Sequence, residues 1–331
     1  MRNKESFQEL WISAAQNMRI KKCMYPGCTS EEPIKSHALQ NNGIISKLAQ
    51  GGHVLMPVTQ RGILFPNKDK QIYQELKSVG KNQATVFYGF CKKHDTELFY
   101  PIENTELTLN NYNCFLFAYR CACAQLRNKE EYIRRMDLLS EDKEYMKEYN
   151  NVNPYYVGCK YAIRDIRRAK SIMDSFIRNG KKNPVNTLIW KLGKIKFASE
   201  GIIQPYTDFT GNEVGGIYDK LNYPLFITVF PYKDTSIALI SWLKVDKQRL
   251  RRYISYLRKL TLKEQQFYLT NAVLKSSDDL VICPEVGQKI KRSNLAPLFE
   301  GAQNMLQDET EYRFHNASIM LQNWGINLFD L

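Results

Sequence analysis

Four potential metal ligands in the first third of the chain constrain its fold more than any other sequence feature. Cys23 and Cys28 form one pair with four residues between them, and Cys91 and His94 form a second pair with two residues between them. Structural zinc sites use four thiolate or imidazole ligands, arranged as two close pairs that the fold brings together. We therefore predict one structural zinc ion bound by Cys23, Cys28, Cys91 and His94.

The sequence around each pair suits this geometry. Met-Tyr-Pro-Gly lies between Cys23 and Cys28, and Pro-Gly favours a tight turn that lets both thiols face one point. The segment TVFYGF before Cys91 predicts a strand, and a helix is expected to begin near Cys91, where positions i and i+3 share one face. A turn pair and a helix-start pair predict a treble-clef zinc site. The alternative is that the three thiols are buried apolar groups and His94 is a surface residue.

The eight cysteines are expected to be reduced. The N-terminal sequence MRNKESFQELWISAAQ lacks the apolar core of a signal peptide, and no segment approaches the ~18–20 apolar residues of a membrane-spanning helix. We therefore expect a cytoplasmic protein with no membrane association. Thiols in that compartment stay reduced, which favours metal ligation over disulfides for the clustered cysteines.

The chain is basic, and its positive charge is unevenly distributed. Lys and Arg number 47 against 34 Asp and Glu, a net charge of +13. Residues 1–103 have 14 basic against 9 acidic side chains, residues 104–200 have 18 against 11, and residues 201–331 have 15 against 14. This distribution favours a polyanionic partner bound through the first two-thirds of the chain.

The hydrophobic pattern predicts an α+β fold. An N-terminal zinc unit is followed by central long helices and then by a mixed α+β unit with an antiparallel hairpin, which gives three predicted regions: 1–103, 104–200 and 201–331. Helical periodicity covers 5–20, 111–150, 155–178, 246–260 and 262–275. Strand patterns cover 202–206, 225–230, 236–243 and 280–283, with a short turn joining 225–230 to 236–243.

Two segments combine basic residues with helical spacing. Lys160, Arg164, Arg167 and Arg168 crowd one side of the helix predicted over 155–178, as either a phosphate-binding face or a solvated one. The run RLRRYISYLRK at 249–259 is also basic and contains tyrosines. Those rings either stack on nucleic acid or pack against the protein.

Residues 22–103 resemble the HNH endonuclease family, within the ββα-metal and treble-clef group. The resemblance rests on the two ligand pairs and on the histidines and acid between and after them. It implies that Cys23, Cys28, Cys91 and His94 bind zinc, that His37 is the general base, that Asp95 stands where the family usually has a metal-binding His, and that His53 is a second functional histidine or replaces the central Asn. The catalytic ion at Asp95 would be Mg²⁺ or Mn²⁺.

The resemblance implies a metal-dependent nuclease that hydrolyses phosphodiester bonds, and a bacterial defence role fits it. Ser36 departs from the family, because many members have an acid at that position, and this departure favours an alternative. The alternative is a non-catalytic zinc module that binds DNA or RNA, or one that recruits a protein partner. The C-terminal region, which has no evident catalytic cluster, is expected to position a substrate or bind a partner protein.

Overall fold

A computed structural model describes most of the chain. The described residues are 4–29, 32–59, 74–103, 107–143, 154–180, 182–216, 220–276, 279–287, 317–323 and 325–331. They form a mixed α+β structure, as the sequence predicts. The longer helices are α1 (Lys4–Asn17), α2 (Lys92–Glu103), α3 (Asn111–Ser140), α4 (Pro154–Asn179), α5 (Lys247–Leu257) and α6 (Leu262–Ser276).

Nine strands form two sheets within the described residues. The strands are β1 (Ser36–His37), β2 (His53–Thr59), β3 (Gln74–Gly80), β4 (Val86–Phe87), β5 (Val185–Leu192), β6 (Phe197–Ile203), β7 (Leu225–Tyr232), β8 (Thr235–Leu243) and β9 (Asp279–Ile282). Strands β1 and β4 form a small antiparallel pair. The other seven form one sheet in the order β3-β2-β9-β6-β7-β8-β5, and all of its neighbours are antiparallel.

The predicted hairpin is confirmed as β7 and β8. Tyr232 pairs with Thr235, and Lys233 in the two-residue turn has φ of +52°. Positive φ in a two-residue loop matches the right-handed twist of the flanking strands. Both strands are rich in β-branched and aromatic residues and are mostly buried.

Helix α3 lies in the centre of the molecule. Every residue from 113 to 127 is buried, and the helix contacts α2, α4 and strands β5 to β8. A helix that is apolar on all sides is expected to be buried on all sides. The sequence FLFAYRCACAQL follows this rule except at Arg120 and Gln125, two polar residues that are only 1% and 0% exposed.

The three predicted regions share one sheet and one core. The predicted boundary between residues 200 and 201 falls inside β6, and strands β2 and β3 of the first predicted region belong to the same sheet as β5 to β9. One hydrophobic cluster extends from Cys23 to Leu328. The division into three regions rests on local composition, which does not report long-range strand pairing, and it stays a prediction.

The predicted elements differ from the observed ones mainly at their ends. The strand expected in TVFYGF is limited to β4, and the strand expected over 202–206 is the end of the earlier β6. The helix expected over 111–150 is observed as α3, and residues 144–150 lie outside the described residues. In the part of the chain that the structure describes, no helix is long and apolar enough to cross a membrane.

Candidate metal centre and adjoining histidine site

The two predicted ligand pairs meet in the structure. The ligand atoms of Cys23, Cys28, Cys91 and His94 all lie within 4.8 Å of one another. His94 Nδ1 is 3.6 Å from Cys23 Sγ and 3.2 Å from Cys91 Sγ. Tetrahedral zinc, with ligand bonds of ~2.0–2.3 Å, places its ligand atoms roughly 3.5–3.8 Å apart. Three thiols and one imidazole at these separations can hold a metal ion such as zinc.

Local structure explains why the first pair converges. Cys28 N donates a hydrogen bond to the Tyr25 carbonyl at 3.1 Å, and this bond closes a turn through Pro26 and Gly27. Gly27 has φ of +88°, as the third residue of a type II turn requires. The Tyr25 ring also stacks on His94, with ring centroids 3.8 Å apart. The turn therefore positions Cys28 and, through Tyr25, the imidazole of the second pair.

The second pair lies at the start of α2. Cys91 immediately precedes the helix, and its backbone N donates to Cys23 Sγ at 3.3 Å. Asp95 N donates to the Cys91 carbonyl at 2.9 Å, so Cys91 caps the first turn. His94 is one turn along and faces the same side. The positive end of the α2 helix dipole lies beside these ligands, which suits a metal-bound sulfur.

Side chains of the two central helices hold the first pair in place. Arg127 of α3 donates to the carbonyls of Ile20 and Lys22 at 3.2 and 2.6 Å. Lys170 of α4 donates to the Met24 carbonyl at 2.7 Å. Burial lowers the pKa of Arg127, although nearby carboxylates oppose this effect. The segment around Cys23, which has little core of its own, is therefore docked by buried cations.

His37 lies on β1, opposite Val86 of β4. Its Nε2 atom is buried and has no hydrogen-bond partner within the described residues. Burial lowers the pKa of His37, and the Glu103 carboxylate partly opposes that shift. The imidazole is therefore neutral near pH 7 and offers an unpaired ring nitrogen.

Asp95 lies in the first turn of α2 and shares two charged neighbours with His37. Burial raises the pKa of Asp95, and interaction with the Ser36 hydroxyl partly offsets the shift. The charges of Glu103 and Arg120 act on the pKa of both His37 and Asp95. Arg120 Nη1 donates to Glu103 Oε1 at 2.7 Å. The histidine and the acid therefore both lie within electrostatic range of one ion pair, and Asp95 directly follows the ligand His94.

Glu103 and Arg120 are not among the predicted site residues. The sequence does contain a signal for Arg120, because it is the one charged residue in the apolar run FLFAYRCACAQL. A charge at such a position is buried only when it has a partner. Its partner, Glu103, is 17 positions earlier and on another helix, so no spacing rule connects the two.

Few side chains near Asp95 could serve as ligands for the predicted catalytic ion. In the described part of the chain, the Cys23 cluster is the only group of three or more close metal-ligating side chains. Asp95 offers one carboxylate, whereas the Glu103 carboxylate is paired with Arg120. Asp95 alone can bind Mg²⁺ or Mn²⁺ only together with water and a substrate phosphate.

His53 lies at the exposed start of β2, in the large sheet rather than in the small β1–β4 pair. Its Nδ1 is 3.0 Å from the Gly51 carbonyl, which is a local turn contact. His37 lies in the other sheet, and Asp95 lies on α2. His53 therefore shares no element with the other predicted catalytic residues.

Three of the four cations predicted to bind nucleic acid are engaged in ion pairs. Arg164 contacts Asp165 at 2.8 Å, and Arg167 contacts Glu130 of α3 at 2.7 Å. Arg168 forms two hydrogen bonds to Asp246, at 2.6 and 3.1 Å. Lys160 is exposed and lies over the Tyr156 ring at 4.3 Å. Most of this predicted phosphate-binding face is therefore occupied by the protein's own carboxylates.

A cleft of about 840 Å³ lies between the metal centre and the two central helices, and we refer to it as the zinc cleft after the predicted metal. Cys23 and Cys28 line one side, and Lys160 and Arg167 of α4 line another. The acids Glu130 and Asp137 of α3 also line it, so its charge is mixed. His37 and Asp95 are not among its lining residues.

Comparison of the chain with protein-family models, with curated proteins and with solved structures finds no match to any of them.

Proposed function

We propose that the chain is a zinc-stabilised, HNH-like nuclease that hydrolyses phosphodiester bonds in DNA or RNA. One observation carries the proposal: the charges of Glu103 and Arg120 act on both His37 of β1 and Asp95 of α2, and Asp95 directly follows the ligand His94. Two antiparallel strands followed by a helix, with a histidine on the first strand, is the order that the ββα-metal resemblance implies.

In this proposal His37 acts as general base. A neutral imidazole with a free ring nitrogen accepts a proton from water near pH 7. As the water oxygen forms a bond to phosphorus, its proton passes to His37 and the phosphorus bond to the leaving oxygen breaks. A divalent ion, when bound through Asp95 and the phosphate, would polarise the phosphate and stabilise the leaving oxygen. The zinc centre has a structural role, since four protein ligands leave no open position.

A second candidate function is a zinc-stabilised module that binds nucleic acid without cleaving it. It is favoured by the burial of His37 Nε2 and by the Arg120 guanidinium, which is almost fully buried beside the site. A base must contact its water, and a buried nitrogen does so only after the site opens. This candidate needs the zinc centre but not His37.

The test is cleavage of supercoiled plasmid and of total RNA with Mg²⁺ or Mn²⁺. His37→Ala should lower the rate by roughly 10²–10⁴-fold, the usual contribution of general base catalysis, with the zinc content unchanged. His53→Ala is the matched control, because it removes an exposed imidazole outside the site, and it should retain the wild-type rate within about twofold. Metal-dependent cleavage that survives His37→Ala would contradict the assigned base. No cleavage by wild-type protein with one zinc bound would favour the second candidate.

A further inference from the structure

Helix α5 borders a basic groove that lies apart from the zinc cleft. The groove has a volume of about 560 Å³ and lies between α5, the edge strand β5 and the end of β8. Its charged lining residues are Lys244, Lys247, Arg251 and Arg258, and we refer to it as the α5 groove. Among its lining residues, all within the described part of the chain, none is Asp or Glu.

The sequence of α5 and of its C-cap residue places Lys247, Arg251 and Arg258 on one side of the helix. Leu250, Tyr253, Ile254 and Leu257 are buried and fix the inner face. Lys247, Arg251, Ser255 and Arg258 follow one another at intervals of four, four and three residues, and they therefore form one stripe along the helix. All four are exposed. The stripe is a direct consequence of how the apolar residues orient α5 against the sheet.

The positive charge of the groove is not neutralised locally. Between residues 244 and 260 the sequence has seven Lys or Arg and one acid, Asp246. Asp246 is only 2% exposed and is bound by Arg168 of α4. Within the described residues, Lys247, Arg251 and Arg258 form no ion pair with a carboxylate. The groove therefore presents a net positive surface to solvent.

The remaining lining residues match the chemistry of a phosphate backbone. Asn111, Asn186, Thr187 and Ser255 add amide and hydroxyl groups around the cations. Such side chains, together with Lys and Arg, make most of the contacts that proteins form with phosphate oxygens. The Trp242 ring in the floor is only 3% exposed, so base stacking in the groove is not available. This combination suits the backbone of a nucleic acid and gives no means of reading base sequence.

The length of the stripe also fits a polyanion rather than a single anion. Lys247 and Arg258 are eleven positions apart, which corresponds to about 16 Å along a helix. One strand of duplex DNA presents a phosphate every ~3.4 Å of helix axis, so the stripe spans about five phosphates. A small anion would contact only one end of it.

We propose that the α5 groove binds the sugar-phosphate backbone of nucleic acid, independently of base sequence and of the metal centre. Asn111 at the start of α3 lines this groove, whereas the zinc cleft is lined by α3 from Leu126 onwards. Fifteen positions along a helix amount to about 22 Å. A nucleic acid that reached both sites would therefore span at least about seven base pairs at ~3.4 Å each. Binding at the groove does not depend on cleavage by His37.

The experiment measures binding of a fluorescein-labelled DNA duplex of about 30 base pairs, and of RNA of the same length, at several salt concentrations without added divalent ion. The test variant is Arg251→Gln/Arg258→Gln. The matched control is Arg249→Gln/Arg252→Gln, which removes the same charge from the same segment at positions that do not line the groove. Arg249 instead lies near Glu213, where its charge helps Lys220 to hold the pKa of that carboxyl below its usual value.

The groove variant should bind about tenfold or more weakly, and the slope of log K against log salt should decrease by about two. The control should bind within about threefold of wild type. Equal weakening in both variants would overturn the proposal, because only diffuse charge would then be acting, and so would salt-independent or undetectable binding by wild type. Displacement of the DNA by polyglutamate at equal charge concentration would overturn it in favour of an acidic protein partner. Unchanged circular dichroism and zinc content verify that the variants are folded.

Discussion

Helices α4 and α5 are both basic, but their cations have different surroundings. Helix α4 has six Lys or Arg residues, and Arg164, Arg167, Arg168 and Lys170 each form an ion pair with a carboxylate. Helix α5 has four, with two more cations directly after it, and its outer stripe faces solvent. A count of basic residues along a helix therefore does not identify a binding surface. The location of the acids decides whether the charge remains available.

The difference follows from which elements pack against each helix. Helix α4 packs along α3, whose Glu130 receives Arg167, and it contacts the start of α5 through Arg168 and Asp246. It also reaches the metal centre through Lys170 and the Met24 carbonyl. These cations connect parts of the protein. We therefore expect substitutions in α4 to change stability and substitutions in α5 to change binding.

The largest effect should come from removing the metal centre to which α4 is connected. Cys28→Ser should abolish zinc binding and lower the free energy of unfolding by about 4 kcal/mol or more, because structural zinc contributes directly to folding. Urea denaturation and metal analysis measure both quantities. Cys114→Ala is the control: this buried thiol lies outside the cluster, so its variant should retain one zinc per chain. A Cys28→Ser protein that retained full stability would exclude a structural zinc.

The next largest effect is a difference in stability between two variants, each with one arginine replaced, one in α4 and one in α5. Arg168→Met leaves the Asp246 carboxylate, which is 2% exposed, without its two charged hydrogen bonds. We expect a loss of about 2–4 kcal/mol, since a buried charge that loses its partner keeps its desolvation cost. Arg251→Met on the exposed stripe of α5 should change stability by less than about 0.5 kcal/mol. Similar losses in both variants, measured by urea denaturation, would remove the distinction between the helices.

The sequence predicts the metal centre better than it predicts the charged surfaces. Ligand spacing and the Pro26-Gly27 turn are local signals, so the amino-acid sequence alone is sufficient to infer the Cys23, Cys28, Cys91 and His94 cluster. The antiparallel hairpin and most helices are also local patterns, and they are found close to their predicted positions. The single seven-stranded sheet is not local, because β2 pairs with β9 across more than two hundred residues.

Regional charge sums predict that a polyanion binds to the first two-thirds of the chain, whereas the exposed cations of α5 lie in the last third. Residues 201–331 have 15 basic and 14 acidic side chains, so they look neutral in sum. Asp246 is buried against α4, and most of the other acids of this region are distant in sequence from α5. Conversely, the strongly basic 104–200 region places several of its acids where they pair with its own cations. Regional sums average over distances that exceed the ~8–10 Å range of screened charges.

Single substitutions in the two helices test whether the exposed cations near α5, rather than the paired cations of α4, bind nucleic acid. Arg258→Gln should weaken nucleic-acid binding by about three- to fivefold, because one phosphate contact of the α5 groove is lost. Arg167→Gln should stay within about twofold of wild type, although its side chain is 62% exposed, because Glu130 already binds its guanidinium. Fluorescence anisotropy at fixed salt compares the two variants. A larger loss for Arg167→Gln would move the binding surface to the zinc cleft that this residue lines.

The smallest expected effect concerns His37, a half-buried titratable group whose Nε2 atom is buried. Burial is the main cause of its lowered pKa, the charges of Arg120 and Lys35 act in the same direction, and Glu103 and a backbone hydrogen bond at Asn82 oppose them. In the unfolded chain His37 takes up a proton near pH 6.5, whereas in the folded protein it does so only at lower pH. The unfolded state therefore binds more protons below pH 6.5, and the free energy of unfolding decreases as the pH falls. Each unit of pKa difference contributes about 1.4 kcal/mol. His37→Gln should therefore lose less stability than wild type between pH 7 and pH 5.

Urea denaturation across this pH range measures the difference, with His53→Gln as the control because it removes an exposed imidazole. If wild type gained stability relative to His37→Gln on acidification, the protonated imidazole would be favoured in the fold, and the Glu103 carboxylate would outweigh burial. The pKa of His37 would then lie above its usual value, and a smaller fraction of the imidazole would be neutral and able to accept a proton near pH 7. The same titration that measures a small stability effect therefore tests whether His37 can serve as the base at all.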